Sequence, residues 1–150
     1  MHLVTSSLFL PALVSYLPQD SQIILLRAYY ALALTWWIWR GRPRPDIGGF
    51  LSATDSPSLS EGGVPVEANP FLGIVQSGMT HPNDHMLKIQ RALVHFSSLY
   101  GIRPKGYFTG TDLDGAEALD GSLFFRAARL TDEYMGRGTM NWNFEMFTAD

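Results

Sequence analysis

The sequence predicts an all-α protein: one compact helical domain over residues 1–150, of about five helices with an extended C-terminal arm. Three observations predict it. Met86, Ile89, Leu93, Phe96 and Tyr100 fall on one face of a 3.6-residue wheel. Helix start and stop signals recur along the chain, with Asp, Ser, Thr or Asn before apolar runs and Gly or Pro after them. No block of the sequence reads as strand-rich, and no internal repeat is present.

Taken in order, residues 3–16 read as a short helix or broken pair interrupted at Pro11. Pro18-Gln19-Asp20-Ser21 reads as a loop closing on an N-cap at Asp20 or Ser21. A helix over 22–40 follows and stops at Gly41, because Pro43 and Pro45 cannot continue it. From Ile23 to Trp39 it is nearly all apolar, with Arg27 inside the run, the pattern of a central core helix. Arg27 and the modest length argue against a membrane span, since an unpaired charge in lipid is costly. The apolar run 3–17 lacks a basic start and carries Pro11, so no secretory signal is expected.

Asp46 caps a short helix through Phe50 and Leu51. Residues 54–68, rich in Ser, Pro and Gly, read as a mobile loop. Asn69-Pro70 opens a helix whose apolar face holds Phe71, Ile74 and Val75. Thr80-His81-Pro82 opens the next, which runs to Tyr100 before Gly101. Residues 103–110 connect to a last helix opened by Thr111 or Asp112. Leu119, Leu123, Ala127 and Leu130 line one side of it, and it ends at Gly136-Arg137-Gly138. Trp142, Phe144 and Phe147 predict an arm that packs down extended.

Composition narrows the function classes. The chain has no Cys, which excludes disulfides, thiolate nucleophiles and Cys-based metal sites, and fits a reducing compartment such as the cytoplasm. A net charge of −3 gives no footprint for nucleic acid. The aromatic share of 13% suits a deep core or a pocket for a flat apolar ligand. Gly136-Arg137-Gly138 lacks the third glycine and the preceding strand of a dinucleotide fingerprint. The Gly-x-Ser-x-Gly elbow of serine hydrolases is absent.

The segment 81–100 carries the chemistry. His81, His85, Lys88, Ala92 and His95 fall on a second face beside the apolar one, while Asn83, Gln90, Arg91 and Ser98 mostly point elsewhere. Imidazoles at i, i+4 converge on a metal from one helix, although Pro82 stands where a zincin has its glutamate. Lys88 becomes a ligand only if deprotonated and carboxylated. The structural alternative is an Asp84–Lys88 pair on a solvated face, a capping role for His81 and a core role for His95.

Several segments resemble one family. They are His2-Leu3-Val4-Thr5-Ser6-Ser7, Leu26-Arg27-Ala28-Tyr29-Tyr30 leading to Trp36-Trp37, Gly41-Arg42-Pro43 with Asp46-Ile47, and His81-Pro82 with His85 and Lys88. Gln90-Arg91-Ala92-Leu93, Tyr100-Gly101 and Trp142-Asn143-Phe144-Glu145 complete the set. Together they look like the C-terminal half of questin oxidase-like proteins. The resemblance implies oxidative ring opening or oxygen insertion on an aromatic or polyketide substrate. It implies non-haem iron, with His81, His85 and Lys88 matching ligands. That set is incomplete here, because family members are longer and only His2 lies outside the stripe.

Three functions follow as expectations. An oxygenase would use that iron, with Tyr29, Tyr30, Trp36, Trp37, Arg91 and His95 lining the substrate pocket. A metal-free polyketide cyclase or lactonase would use Asp84, His85 or Asp120 as acid and base, with Arg27 or Arg91 holding a carboxylate or enolate. Asp112 and Asp114 are equally readable as helix-start residues. A non-catalytic binding subunit would use the aromatic helix from Ile23 to Trp39 as its interface. A homodimer is expected in each case.

Overall fold

A computed structural model describes residues 2–55, 69–111 and 113–136. Among them the chain is helical and contains no strand. The elements are α1 (His2–Ser7), α2 (Leu10–Ser15), α3 (Gln19–Trp39), α4 (Ile47–Ala53), α5 (Leu72–Thr80), α6 (Asp84–Tyr100), a 3-10 turn (Ala116–Ala118) and α7 (Leu123–Gly136). The chain divides into two compact units, the first carrying α1–α3 and the second beginning at Pro45.

In the first unit the break between α1 and α2 falls at Leu8–Phe9. Pro11 occupies the first turn of α2, where its missing N–H has no helical partner to lose, so it helps start that helix instead of interrupting one. The Gln22 amide donates to the carbonyls of Val14 (3.0 Å) and Leu17 (2.8 Å), satisfying acceptors that the end of α2 leaves open. The Tyr29 hydroxyl donates to the Leu3 carbonyl and lies 3.0 Å from Ser6 Oγ, which fixes α1 against α3.

α3 starts at Gln19, earlier than the loop signal suggests. Pro18 is extended and serves as N-cap, and Asp20 in the first turn complements the helix dipole. Gly41 (φ 78°) and Arg42 (φ 54°) turn the chain out of α3, and Trp37 Nε1 donates to the Pro43 carbonyl at 3.3 Å. α3 has no buried residue, so the core role suggested by its composition does not hold. A helix apolar on all sides needs cover on all sides, and the six-residue α1 and α2 are too short to supply it.

The second unit is built on α5, α6 and α7, which pack on one another in all three pairs. Phe71, Ile74, Met86, Ile89, Leu93, Phe125, Ala128 and Met135 form its core. Phe71 and Phe125 meet edge to face, with centroids 5.3 Å apart. A Cβ on Gly78 of α5 would lie 3.6 Å from the Leu87 backbone, an ordinary van der Waals contact, so α5 runs close to α6 at this point with room for no more than a methyl group. Ile47 of α4 is buried under Gly115, whose φ of 85° suits glycine.

Two further helix starts differ from the sequence reading. His81 is extended (φ −72°, ψ 134°) and closes α5, because the residue before Pro82 is pushed out of the helical region. Asn83 is the N-cap of α6, its side chain accepting from His85 N at 3.0 Å. α7 begins at Leu123, about three turns after Thr111. Left-handed Gly115, the 3-10 turn and extended Leu119 intervene. Asp120 then accepts from the amide (2.9 Å) and hydroxyl (2.5 Å) of Ser122 ahead of α7. Asp112, residues 56–68 of the expected loop and the whole C-terminal arm lie outside the described residues.

Candidate functional site

The histidine-bearing segment folds as two joined pieces. The α5–α6 junction presents His81 and Asn83, and the first two turns of α6 present Asp84, His85 and Lys88. The Asn83 N–H donates to His81 Nδ1 at 3.0 Å, which leaves the ring proton on Nε2, 3.4 Å from the Met135 carbonyl of α7. His81 thus links the α5–α6 corner to the end of α7 through both of its nitrogens.

His85 is half-buried. Its Nδ1 lies 2.9 Å from Asn83 Oδ1 and 3.3 Å from Asp84 Oδ1. The other Asp84 oxygen takes the Lys88 ammonium one turn along. Hydrogen bonding from Lys88 holds the Asp84 carboxyl below its ordinary value, against the opposing effect of desolvation and with help from the lysine and histidine charges. The result is a surface row of Lys88, Asp84, His85 and Asn83, with a carboxylate between an ammonium and an imidazole.

The remaining candidates are dispersed. On α6, Ala92 is fully buried, Arg91 and His95 are exposed, and His95 lies edge-on to Phe96 at 5.6 Å. Asp120 serves the start of α7, and Asp114 is exposed in a turn. Arg27, Tyr29, Tyr30, Trp36 and Trp37 belong to the first unit. There Tyr29 is committed to α1, Trp36 stacks edge-on with Trp39 at 5.2 Å, and Arg40 sits over both indoles.

Sequence reading missed three side chains. Gln90, assigned away from the core, is 0% exposed and donates Nε2 to the Ala128 carbonyl of α7 at 2.9 Å. Arg126 reaches from α7 to the end of α4, donating to the carbonyls of Leu51 (3.3 Å) and Thr54 and to Ser122 Oγ (3.0 Å). Asp132 lies on the stripe of α7 that also carries Phe125, Ala128 and Met135, with Oδ1 buried and without a partner. Only the fourfold spacing from Met86 to Gln90 hinted at any of them.

The residues present do not fit an iron centre as they stand. His81 spends both nitrogens on backbone groups, and Lys88 is an ion-paired ammonium without a lone pair. No group of three His, Cys, Asp or Glu side chains among the described residues could hold a metal ion.

Fold and site together define an all-α protein carrying an imidazole–carboxylate pair at a helix start. More specifically, the chain belongs to the questin oxidase-like family, whose model matches residues 1–93. The match spans α1–α5 and most of the helical turns that carry His85, Lys88 and Gln90. Comparison with curated proteins gives no match, nor does comparison with solved structures. No helix among the described residues is long and apolar enough to cross a membrane.

Proposed function

We propose that this protein is a tailoring enzyme of secondary metabolism that oxidatively modifies or cleaves an aromatic polyketide, with dioxygen as oxidant. Its membership of the questin oxidase-like family carries the reading. The reaction centre is assigned to the start of α6. There His85 acts as acid and base, and Asp84 orients the imidazole and stabilises the charge it gains with a proton. Asn83 Oδ1 meets the same ring nitrogen, Nδ1, that faces Asp84, and Lys88 holds the Asp84 carboxylate ionised. Arg91, three residues further along the helix from Lys88, supplies a cation for an enolate or carboxylate. The enzyme works in a reducing compartment, taken as the cytoplasm, and as a homodimer.

A second reading is favoured by that same His85–Asp84 pair: metal-free cyclisation or lactonisation, in which orientation and one proton transfer supply the rate. A panel of anthraquinone and linear polyketide substrates, followed by mass spectrometry beside an oxygen electrode, separates the two. Oxygen uptake with a product heavier by oxygen is expected, and it falls at least about a hundredfold in His85→Ala. An isomeric or dehydrated product without oxygen uptake selects cyclisation. Turnover unchanged by His85→Ala removes His85 from both schemes. Elemental analysis of untagged protein, before and after anaerobic loading with ferrous iron, measures whether His81, His85 and Lys88 rearrange around a metal. Iron near one per chain that vanishes in His85→Ala would establish it, and none after loading would eliminate it.

A further inference from the structure

The charge of the chain is segregated. Residues 1–44 hold Arg27, Arg40, Arg42 and Arg44 against the single acid Asp20, a net charge of +3, whereas the whole chain carries −3, which leaves −6 for residues 45–150. Three of those four arginines stand together where α3 ends. Trp37, Ile38 and Trp39 close that helix at 46%, 59% and 58% exposure, and steps of about 100° aim them to different sides of its tip. Arg40 lies over the Trp36 and Trp39 rings, 5.9 and 5.4 Å from their centroids. Gly41 and Arg42, both at positive φ, turn the chain so that the Pro43 carbonyl accepts from Trp37 Nε1. Arg40, Arg42 and Arg44 are all exposed, and no acidic residue lies between Trp37 and Arg44. The next acid along the chain, Asp46, accepts from the Gly49 N–H of α4. The end of α3 thus joins an exposed aromatic tip to a cluster of arginines.

We infer that the tip of α3 and the arginine segment after it form a docking surface for an anionic lipid bilayer. Trp37, Ile38 and Trp39 enter the boundary between headgroups and acyl chains, and Arg40, Arg42 and Arg44 pair with lipid phosphates and carboxylates. Indole suits that boundary because its body is apolar and its N–H is polar. Guanidinium matches phosphate and carboxylate bidentately, and basic residues beside an anionic leaflet add attraction one by one. Charge complementarity selects the occupant: the arginines favour an anionic surface, and the apolar tip gains nothing from a free anion. The negative charge of residues 45–150 is repelled by the same surface, so the contact is confined to the tip. No helix among the described residues is long and apolar enough to cross a membrane, and the contact inferred is peripheral. Ile24, at which association between copies is tested below, lies roughly 20 Å back along α3, so the two surfaces are separable. The inference does not depend on the reaction proposed above, and binding is measured without turnover.

The test is flotation of the intact protein with two kinds of vesicle, phosphatidylcholine alone and phosphatidylcholine mixed with phosphatidylserine, beside its tryptophan emission. The protein is expected to float with the mixed vesicles and not with phosphatidylcholine alone, and its emission to shift to the blue as indoles leave water. Binding is expected to weaken strongly between about 0.1 M and about 1 M salt, because the arginines are exposed. The double variant Arg42→Gln/Arg44→Gln is expected to lose about tenfold or more in vesicle partitioning. Ile38→Ser is expected to lose several-fold while keeping the salt dependence, since it removes apolar contact and no charge. Lys105→Glu, an equal change of sign in the second unit, is expected to leave partitioning within about twofold. Circular dichroism checks that the variants keep the parent's helix content, and the two tip variants act through different chemistry, so the assignment does not rest on one of them. Absence of flotation with the mixed vesicles overturns the inference, as does equal flotation with both kinds or partitioning unchanged in both tip variants. A shift from dimer to monomer in the tip variants with vesicle binding intact assigns the tip to a second copy and overturns it too. None of these results bears on the His85 chemistry.

Discussion

Asp84 is the residue whose ionisation the structure perturbs most clearly. The Lys88 ammonium lowers its pKa in the folded chain, so folding favours the carboxylate. The stabilisation is therefore present above the ordinary carboxylate range and disappears as pH falls through the lowered value. Acid unfolding followed by circular dichroism is expected to begin at higher pH in Lys88→Ala than in the parent, and 1 M salt is expected to shrink the difference. Arg126 works differently, since it is half-buried and donates to carbonyls that α4 leaves open. Arg126→Ala is expected to cost about 1–3 kcal/mol in urea unfolding, and Arg126→Lys to recover little, because one ammonium cannot span the same acceptors. The first role was legible beforehand, since Asp84–Lys88 is visible as an i, i+4 pair; the second was not, because the carbonyl partners of Arg126 lie more than seventy residues away, which no local pattern encodes.

At the scale of elements, helix starts decide what His81 can do. Asn83 terminates the chain's turn and caps α6, and His81 is left in extended backbone against the end of α7. Asn83→Ala is expected to destabilise by about 1 kcal/mol in chemical unfolding, and Asn83→Ser to recover most of that loss, because only the cap acceptor matters. The α6–α7 connection has a stricter point. The Gly121 N–H donates to the Arg103 carbonyl at 2.8 Å, and a Cβ there would collide with the backbone of Gly101 and Tyr100. Gly121→Ala is expected to cost about 1–3 kcal/mol by the same measurement, since no flexible side chain can give way. Elements were the most legible level of this protein. The caps at Asp46, the stop at Gly41 and the core face of α6 follow from spacing and turn chemistry. The starts of α6 and α7 do not, because Pro82 and Gly115 each admit more than one local solution.

At the scale of the molecule the two units contrast. The second buries a contiguous core between three helices, whereas α3 of the first carries Ile24 at 68% exposure and Trp39 at 58%. Exposed apolar area of that kind favours association, in line with the proposed homodimer. Sedimentation velocity is expected to show a dimer at micromolar concentration, and Ile24→Glu to shift it to monomer with unchanged helix content. A monomer at every concentration would count against the proposal.

The sequence by itself determined the all-α class, most helix bounds and the apolar stripe of α6, because helical period, caps and breakers act over a few residues. It also carried the family membership in motifs spread along the first 93 residues. Tertiary structure decided the rest. It turned His81 onto the end of α7, buried Gln90 at zero exposure, left Asp132 Oδ1 buried without a partner and left α3 without a buried residue. Each of these depends on which helix lies against which face. That choice is made by packing between segments far apart in the chain, where burial and hydrogen-bond satisfaction outweigh local preference.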